Sequence, residues 1–543
     1  MTTAAATPAV ATLNVLVADK LAPQGLELLK GAGVHVDVKV GLSEDEIAAI
    51  IGQYDGLLVR SGVQVTAKVL ANPGKLRAIA RAGVGVDNID LDAATAKGVL
   101  VMNSAEASTI TTAEHAFALL MALARNIGPA YKTMAGGGWD RNKYVGRQLH
   151  GKTLGLVGFG RIGRTVAERG LAFGMKVVAF DPVFNAETAL DGQVRLVKTF
   201  DELVSIVDFL SFHVPLNDHT RNMLNAERFA KARKGIMVIN AARGGVIDIP
   251  ALIAALDAGQ CGGAALDVFE VEPLEADSPL RNHPKVLLTP HLGASTAEAQ
   301  EAVSNDACAQ ILEYLSGQGI RGAVNAPGVR LDLDALQLKF VDLAQRMGRL
   351  IAPMCEAGIA DVTVTCKGSA LAAAAPTIER MALVELLSNQ LDVPVNVINV
   401  RLYGEARGIK VRSIVEEGTG TPRLTLSITS GSDRRVIAGS VFADGQPRVL
   451  EINGYHMDMV PAGPMVFLLN EDRPGMIGLV GNEFGAARAN IADMALSRRG
   501  NTAMMVLKLD TCPPDGLIAG LRSKPGILKV AAVQLTVLPA RLD

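Results

Sequence analysis

The sequence predicts an α/β protein with two doubly wound domains at a hinged cleft, then an α+β domain and a small βαββαβ domain. Three observations carry this. Apolar, strand-like runs alternate with helical runs through more than half of the chain, the pattern of a parallel sheet covered by helices. A glycine-rich turn follows one of those runs at Gly158. The C-terminal end reads strand, helix, strand, strand, helix, strand, which is the ferredoxin-like order. A chain of 543 residues is also too long for one hydrophobic core.

The first strand is LNVLVAD (Leu13–Asp19), and LAPQGLELLKGAG then has helical spacing and a glycine stop. VHVDVKV, DGLLVRS and LRAIARAG continue the βαβ alternation. From Ser108 the stretch STITTAEHAFALLMALARNI repeats apolar residues at three and four, which predicts one long helix capped by Ser or Thr. KTLGLVGFGRIGRTVAERGLAFGMKVVAFDP gives strand, turn, helix and strand, and DFLSFHV, GIMVINAA, GGAALDVF and VLLTPH extend the series. A further helix begins near Ser295, and Pro327-Gly328 marks a linker. The expected division is 12–108 with 293–327, then 109–292, then 330–455, then 464–543, the chain crossing the hinge near Ser108 and Gly293.

A formal charge of −2 argues against nucleic acid or anionic lipid as partner. Apolar stretches stop short of the roughly 20 residues of a membrane span, and the N-terminus lacks a signal-peptide core. Five cysteines, with no pair at metal-ligand spacing, predict a reducing compartment, no disulfides and no metal. The expected location is the cytoplasm.

Gly158, Gly160 and Gly163 form G-x-G-x-x-G between an apolar strand and a helix. The first glycine permits a tight turn, the second lets a pyrophosphate approach the backbone, and the third lets helix and strand pack closely. The helix start offers N–H groups and partial positive charge. Asp181 ends the next strand, about twenty residues on, where a carboxylate holds ribose hydroxyls and repels a 2′-phosphate. The domain is therefore Rossmann-like, and NAD is the expected cofactor.

Arg243, Glu272 and His291 stand at the ends of later strands, in NAARGGVID, ALDVFEVEP and LLTPHLGAST. Reduction of a 2-keto acid needs a cation for the carboxylate, a proton donor and a hydride source. Arginine's planar fork meets a carboxylate bidentately, histidine is the side chain suited to proton transfer near neutrality, and a neighbouring carboxylate favours imidazolium. Each also has a structural alternative: a strand-end cap, a residue before a turn proline, a satisfied core histidine.

The ARGG, LDVFxxEP and PHLGAST segments resemble the D-2-hydroxyacid dehydrogenase family. The resemblance implies that Arg243 orients substrate, His291 is the general acid/base and Glu272 pairs with it. It implies further NAD contacts at Arg161, Ile162, Ala242 and Asp267, with backbone approach at Val84, Val214, Gly293 and Ala294. Arg60, Ser61 and Arg81, in DGLLVRSGVQVT and AIARAGVGVDNID, resemble the branch that oxidises 3-phosphoglycerate to 3-phosphohydroxypyruvate in serine biosynthesis; solvated surface arginines are the alternative. By the same resemblance Trp139 anchors a homodimer or homotetramer and Arg141 completes the partner's site, against a core Trp with a surface Arg.

MVFLLNEDRPGMIG resembles the start of an ACT domain, which implies L-serine as effector. Asp472 would bind its amino group, Asn470 stands at a variable position, and Asn490 would reach the ligand from the next strand or from a partner subunit. A purely structural dimerisation module is the alternative. For the intervening domain the resemblance implies an effector or anion role, and GYHMD, with Tyr455, supports no named site. Two rival functions stay open: the same chemistry on glycerate or glyoxylate, and a non-catalytic NADH sensor.

Overall fold

The computed structural model describes residues 13–538 apart from Asn185, Glu356, Asn389, Asp392 and Thr419. Residue 12, residues 539–543 and the N-terminal lead, all named above, lie outside the described residues. Four sheets organise the chain.

The first sheet is wholly parallel, in the order His35–Val38, Asn14–Val17, Gly56–Val59, Ala78–Arg81, Leu100–Asn103. Buried on both faces, its four strands other than the edge strand His35–Val38 read as near-continuous apolar runs. The later helix Ala297–Leu315 returns to it, placing Val303, Ala307, Ile311 and Leu315 among Val15, Val17, Leu58 and Leu100. Thr296 caps that helix, its Oγ1 accepting from Ala299 N at 3.2 Å.

The second sheet has eight strands, ordered Val286–Leu288, Cys261–Leu266, Ile236–Asn240, Phe209–Phe212, Thr153–Val157, Lys176–Phe180, Val194–Val197, Thr188–Ala189. All neighbours are parallel except the last pair. Connections run one way from Thr153–Val157 and the other way from Phe209–Phe212, so these two strands flank the switch point where open α/β sheets bind ligands. The short Thr188–Ala189 hairpin was not expected: its turn holds Leu190, Asp191 and Gly192 at φ 49°, 55° and 81°, and Asp-Gly is its one turn signal.

Two expectations for the hinge helix are corrected. The long run breaks after Ala124: Asn126 turns left-handed at φ 54°, and a second helix, Ile127–Ala135, follows. Asn tolerates that conformation, and periodicity does not register a one-residue break. Ser108 stands at the helix start without capping it, its Oγ buried and without a hydrogen-bond partner among the described residues.

The third sheet runs Lys410–Glu416, Ile359–Lys367, Arg423–Ser430, Asp433–Val441, Pro447–Ile452, Tyr455–Met459, with helices Ala335–Ile351 and Ala375–Leu387 supplying its core. The fourth is antiparallel, ordered Ile491–Arg499, Thr502–Leu509, Pro464–Glu471, Ile527–Gln534, with helices Met476–Ala486 and Asp515–Arg522: the βαββαβ order expected. The two share a core, since Met465, Phe467, Val506 and Leu535 pack into the cluster around Phe340 and Leu343. Buried Arg346 bridges them, donating from Nη1 to Pro461 O and Thr536 O, both at 2.8 Å. Among the described residues no helix is long and apolar enough to cross a membrane.

Candidate active site

At the switch point Gly158 adopts φ 89°, and a methyl there would lie 2.4 Å from His213 O. A methyl on Gly163 would meet Gly158 O at 2.2 Å, so the helix Arg161–Ala172 starts hard against the strand. A methyl on Gly160, by contrast, would find nothing within 4 Å. The helix mouth is therefore open at the second glycine, the space a pyrophosphate needs. Asp181 follows the neighbouring strand and shapes the turn itself: Oδ2 accepts from Phe159 N at 2.8 Å and Oδ1 from Val183 N at 3.0 Å. Each oxygen keeps a further lone pair for a ribose hydroxyl. These residues fit NAD.

Ile162 packs into the core of this half, and Arg161 reaches out to Glu106. Val214 follows the strand Phe209–Phe212 and flanks Gly158, while Val84 O accepts from Asn103 Nδ2. Beneath the turn lies His213, a residue the sequence reading did not single out. Its Nε2 lies 3.0 Å from Ser211 Oγ, and burial pushes its imidazole down to about 4.

His291 and Glu272 meet at the mouth of the cleft, with Nδ1 2.7 Å from Oε2. Glu272 is held by Phe269 N, which donates to Oε1 at 3.0 Å. His291 takes φ 55° and its N–H donates to Asp267 O at 2.8 Å. Asp267 is fully buried and organises the whole 289–293 turn, accepting from Thr289 Oγ1 at 2.6 Å, Leu292 N at 2.8 Å and Gly293 N at 2.9 Å. His115 Nε2 stands 3.1 Å from the same carboxylate. Burial raises the Asp267 carboxyl, but the hydrogen bonds from His115, Thr289 and Leu292 outweigh it and hold the group below its ordinary value. Asp267 is thus built into the support of His291, with Gly293 and Ala294 leading away toward the hinge.

Arg243 is placed by Asn240, whose Nδ2 donates to Arg243 O at 2.8 Å and whose Oδ1 accepts from Ala242 N at 3.0 Å. Its guanidinium crosses the cleft to the first domain, where Nε donates to Asp87 Oδ2 at 3.1 Å. Gly85 makes room: a methyl there would lie 2.0 Å from Arg243 Nη2 and 2.6 Å from Asp87 Oδ2.

Arg81 lies in the same cluster. Burial lowers its guanidinium to about 10, Arg243 and Arg60 push it the same way, and Asp87 and Asp19 oppose them. Asn88 ties the pocket together, accepting from Arg81 Nε at 3.1 Å and donating to Arg60 O at 2.8 Å. Arg60 and Ser61 sit at the rim, Ser61 exposed. Three guanidiniums, Arg60, Arg81 and Arg243, thus lie in one cluster with Asp87 and Asp19, three cations to two carboxylates, and such planar cations suit oxyanions. Asp87, Asn88, Asn240, His115 and Gly85 were missed in the sequence. Only the GVG and DNID segments, which hold Gly85, Asp87 and Asn88, could have marked any of them, as turn chemistry.

Trp139 is 83 % exposed, which removes the reading of it as a core residue, and Arg141 is exposed beside it. In the last domain Asn470 is buried, its Nδ2 donating to Glu471 O at 2.7 Å and its Oδ1 without a partner among the described residues. Asp472 lies 3.4 Å from Arg498 Nε. Asn490 donates to Asp510 Oδ2 at 2.7 Å. The expectation that Asn490 reaches Asp472's ligand from the next strand is corrected. The strands Pro464–Glu471 and Ile491–Arg499 run parallel, each antiparallel to Thr502–Leu509 between them. Asp472 follows the end of one and Asn490 precedes the start of the other, so they lie at opposite ends of the sheet.

Residues 117–293 match the family described as D-isomer specific 2-hydroxyacid dehydrogenase, NAD binding domain. Residues 337–453 match the D-3-phosphoglycerate dehydrogenase intervening domain. The chain is 40 % identical to a D-3-phosphoglycerate dehydrogenase of Synechocystis over 96 % of this chain and 95 % of that one. It is 37 % identical to the enzyme of that name from Bacillus subtilis, over 96 % and 99 %. Among solved structures, a glyoxylate reductase from Paecilomyes thermophila matches with TM-score 0.54 and 28 % identity, over 58 % of this chain and 98 % of that one. The apo D-lactate dehydrogenase of Escherichia coli matches with TM-score 0.51 and 27 % identity, over 58 % and 100 %.

Proposed function

The chain belongs to the D-3-phosphoglycerate dehydrogenase family, and from that premise we propose how its own residues carry the reaction. It is an NAD-dependent oxidoreductase that converts 3-phosphoglycerate to 3-phosphohydroxypyruvate, the first step of serine biosynthesis. Bound NAD supplies the acceptor for the hydride leaving C2. His291 removes the C2 hydroxyl proton through Nε2, because Nδ1 is turned to Glu272. In the reverse direction the same nitrogen returns the proton to the carbonyl oxygen. Glu272 fixes the ring and stabilises the imidazolium that forms.

Arg243 grips the substrate carboxylate, exchanging Asp87 for it. Arg81 and Arg60, with Ser61, receive the phosphate. Gly158, Gly160, Gly163 and Asp181 hold the dinucleotide, with Arg161, Ile162, Val84, Val214, Ala242, Gly293 and Ala294 lining its path and Asp267 fixing the turn beneath it. Exposed Trp139 supports subunit pairing as a homodimer or homotetramer, with Arg141 offered to the neighbour's pocket. The C-terminal βαββαβ unit is read as an ACT domain taking L-serine between two copies, Asn470 and Asp472 from one and Asn490 from the other. Five free cysteines, four of them buried, suit the cytoplasm.

The observation that carries the reading is the 2.7 Å His291–Glu272 pair, in the same nucleotide-binding half as the open helix mouth at Gly160. The test is steady-state reduction of 3-phosphohydroxypyruvate by NADH, beside hydroxypyruvate and with or without serine. Turnover that favours the phosphorylated acid in kcat/KM is expected. Equal turnover of both acids would remove the phosphate pocket, and NADH binding without turnover would leave only a sensor.

A further inference from the structure

We propose that the strand Lys410–Glu416 is an edge where two copies of this chain join, antiparallel about a two-fold axis at Ser413, so that their six-stranded sheets become one. Among the described residues the strand pairs on one side only, parallel with Ile359–Lys367. Gly368 N donates to Glu416 O at 2.9 Å, so Glu416 turns its peptide groups toward that neighbour. Alternation along the strand gives Lys410, Arg412 and Ile414 the same direction, and points the N–H and C=O of Val411, Ser413 and Val415 outward. From Arg412 to Glu416 every side chain is exposed, Ile414 at 43 % and Val415 at 46 %. An open edge with apolar residues is a template for another strand, and proteins guard such edges with charge.

Here the charges are self-complementary rather than repelling. Lys410 opens the strand and Glu416 closes it, and neither forms an ion pair among the described residues. An antiparallel copy centred on Ser413 sets Lys410 against Glu416 of the second copy, and Glu416 against its Lys410. Val411 then faces Val415, and all three outward residues find hydrogen-bonding partners. Other registers do worse. Centring on Arg412 opposes two guanidiniums, and like charges directly opposite are destabilising. Centring on Ile414 leaves Lys410 and Val411 with no strand residue opposite.

The geometry is read by disulfide trapping in the full chain carrying Cys512→Ser, which removes the one exposed native thiol. Directly opposed, hydrogen-bonded residues stand about 5.5 Å apart at Cα, within reach of a disulfide. Ser413→Cys is therefore expected to give a covalent dimer under mild oxidation. Lys410→Cys is not, because its two copies lie roughly 20 Å apart along the paired strands. In the Ser413→Cys background, Lys410→Glu should slow cross-linking roughly tenfold by turning two cross-strand pairs repulsive, and Lys410→Glu with Glu416→Lys should restore it. No excess of dimer at Ser413→Cys over Lys410→Cys overturns the pairing, and so does a cross-link that Lys410→Glu leaves unchanged.

Discussion

In the eight-stranded sheet, Asp181, Arg243, Glu272 and His291 all leave the carboxyl ends of parallel strands and arrive around one cleft. In the last domain, Asn470 and Asp472 leave one end of an antiparallel sheet while Asn490 leaves the other. Each region carries a sequence motif for a small ligand, yet only the first assembles its motif within one chain. The physical difference is which end of each strand supplies the residue. Parallel strands deliver every loop to the same edge, so residues a hundred positions apart meet. In the last domain Asp472 follows one strand and Asn490 precedes another that runs parallel to it, so a site drawn from both ends needs a second copy.

The sharpest way to break this comparison is at His291. His291→Ala should lower kcat by roughly 10²–10⁴, the usual contribution of a positioned general base, while NADH still quenches or binds as in the unaltered enzyme. A parallel loss of NADH affinity would mean that the turn at 289–293 holds cofactor rather than proton chemistry. Gly85→Ala should come next. Its methyl would fall 2.0 Å from Arg243 Nη2, so the guanidinium must move. A displacement near 1 Å at a substrate-orienting group costs on the order of a hundredfold, expected in kcat/KM with NADH binding unchanged.

That glycine also shows where legibility in the sequence ended. The G-x-G-x-x-G turn, Asp181 and the Arg–Glu–His series were readable because each sits at a fixed offset from an apolar strand, and local order predicts their place. Asp87 was not: its partner Arg243 lies 156 residues away, and nothing local marks a contact across a cleft. Asn240 and His115 were hidden for a related reason, since a polar residue at a strand end or in a helix reads as surface until the fold buries it against Ala242 or Asp267. The sheet of residues 359–459 gave no motif at all. Its strands alternate buried and half-buried residues, as in Arg423–Ser430, which fixes a face and says nothing of order.

Smaller effects sharpen the contrast. Arg81→Met should raise KM for the phosphorylated acid roughly tenfold to a hundredfold, the worth of one charged hydrogen-bonding group, and leave hydroxypyruvate turnover nearly unaltered. Acid should then separate the two regions. His213 lies half-buried beneath the glycine turn, where desolvation pushes its imidazole down to about 4, against about 6.5 unfolded. Between those values the unfolded chain binds a proton that the folded chain refuses, so stability is full above pH 6.5 and falls as pH drops toward 4. The loss is at most about 3 kcal/mol. Residues 464–543 contain no histidine. Hydrogen exchange at pH 5 and 7 should show the cofactor-binding half loosening more, and His213→Gln should shrink the difference.

The smallest expected effect concerns Asn490. Its bond to Asp510 is exposed, so Asn490→Ala should cost under about 1 kcal/mol of stability and leave kcat and KM unaltered. What it should remove is any dependence of the rate on serine. Because Asn490 and Asp472 stand at opposite ends of one sheet, the loss must be shared between copies: mixing Asn490→Ala chains with Asp472→Ala chains should restore one intact site per mixed pair. Recovery of part of the serine response in the mixture, absent from either variant alone, is the expected result. If Asn490→Ala chains keep the full response, the ligand is held by one end of the sheet, and the antiparallel domain assembles its site as the parallel one does.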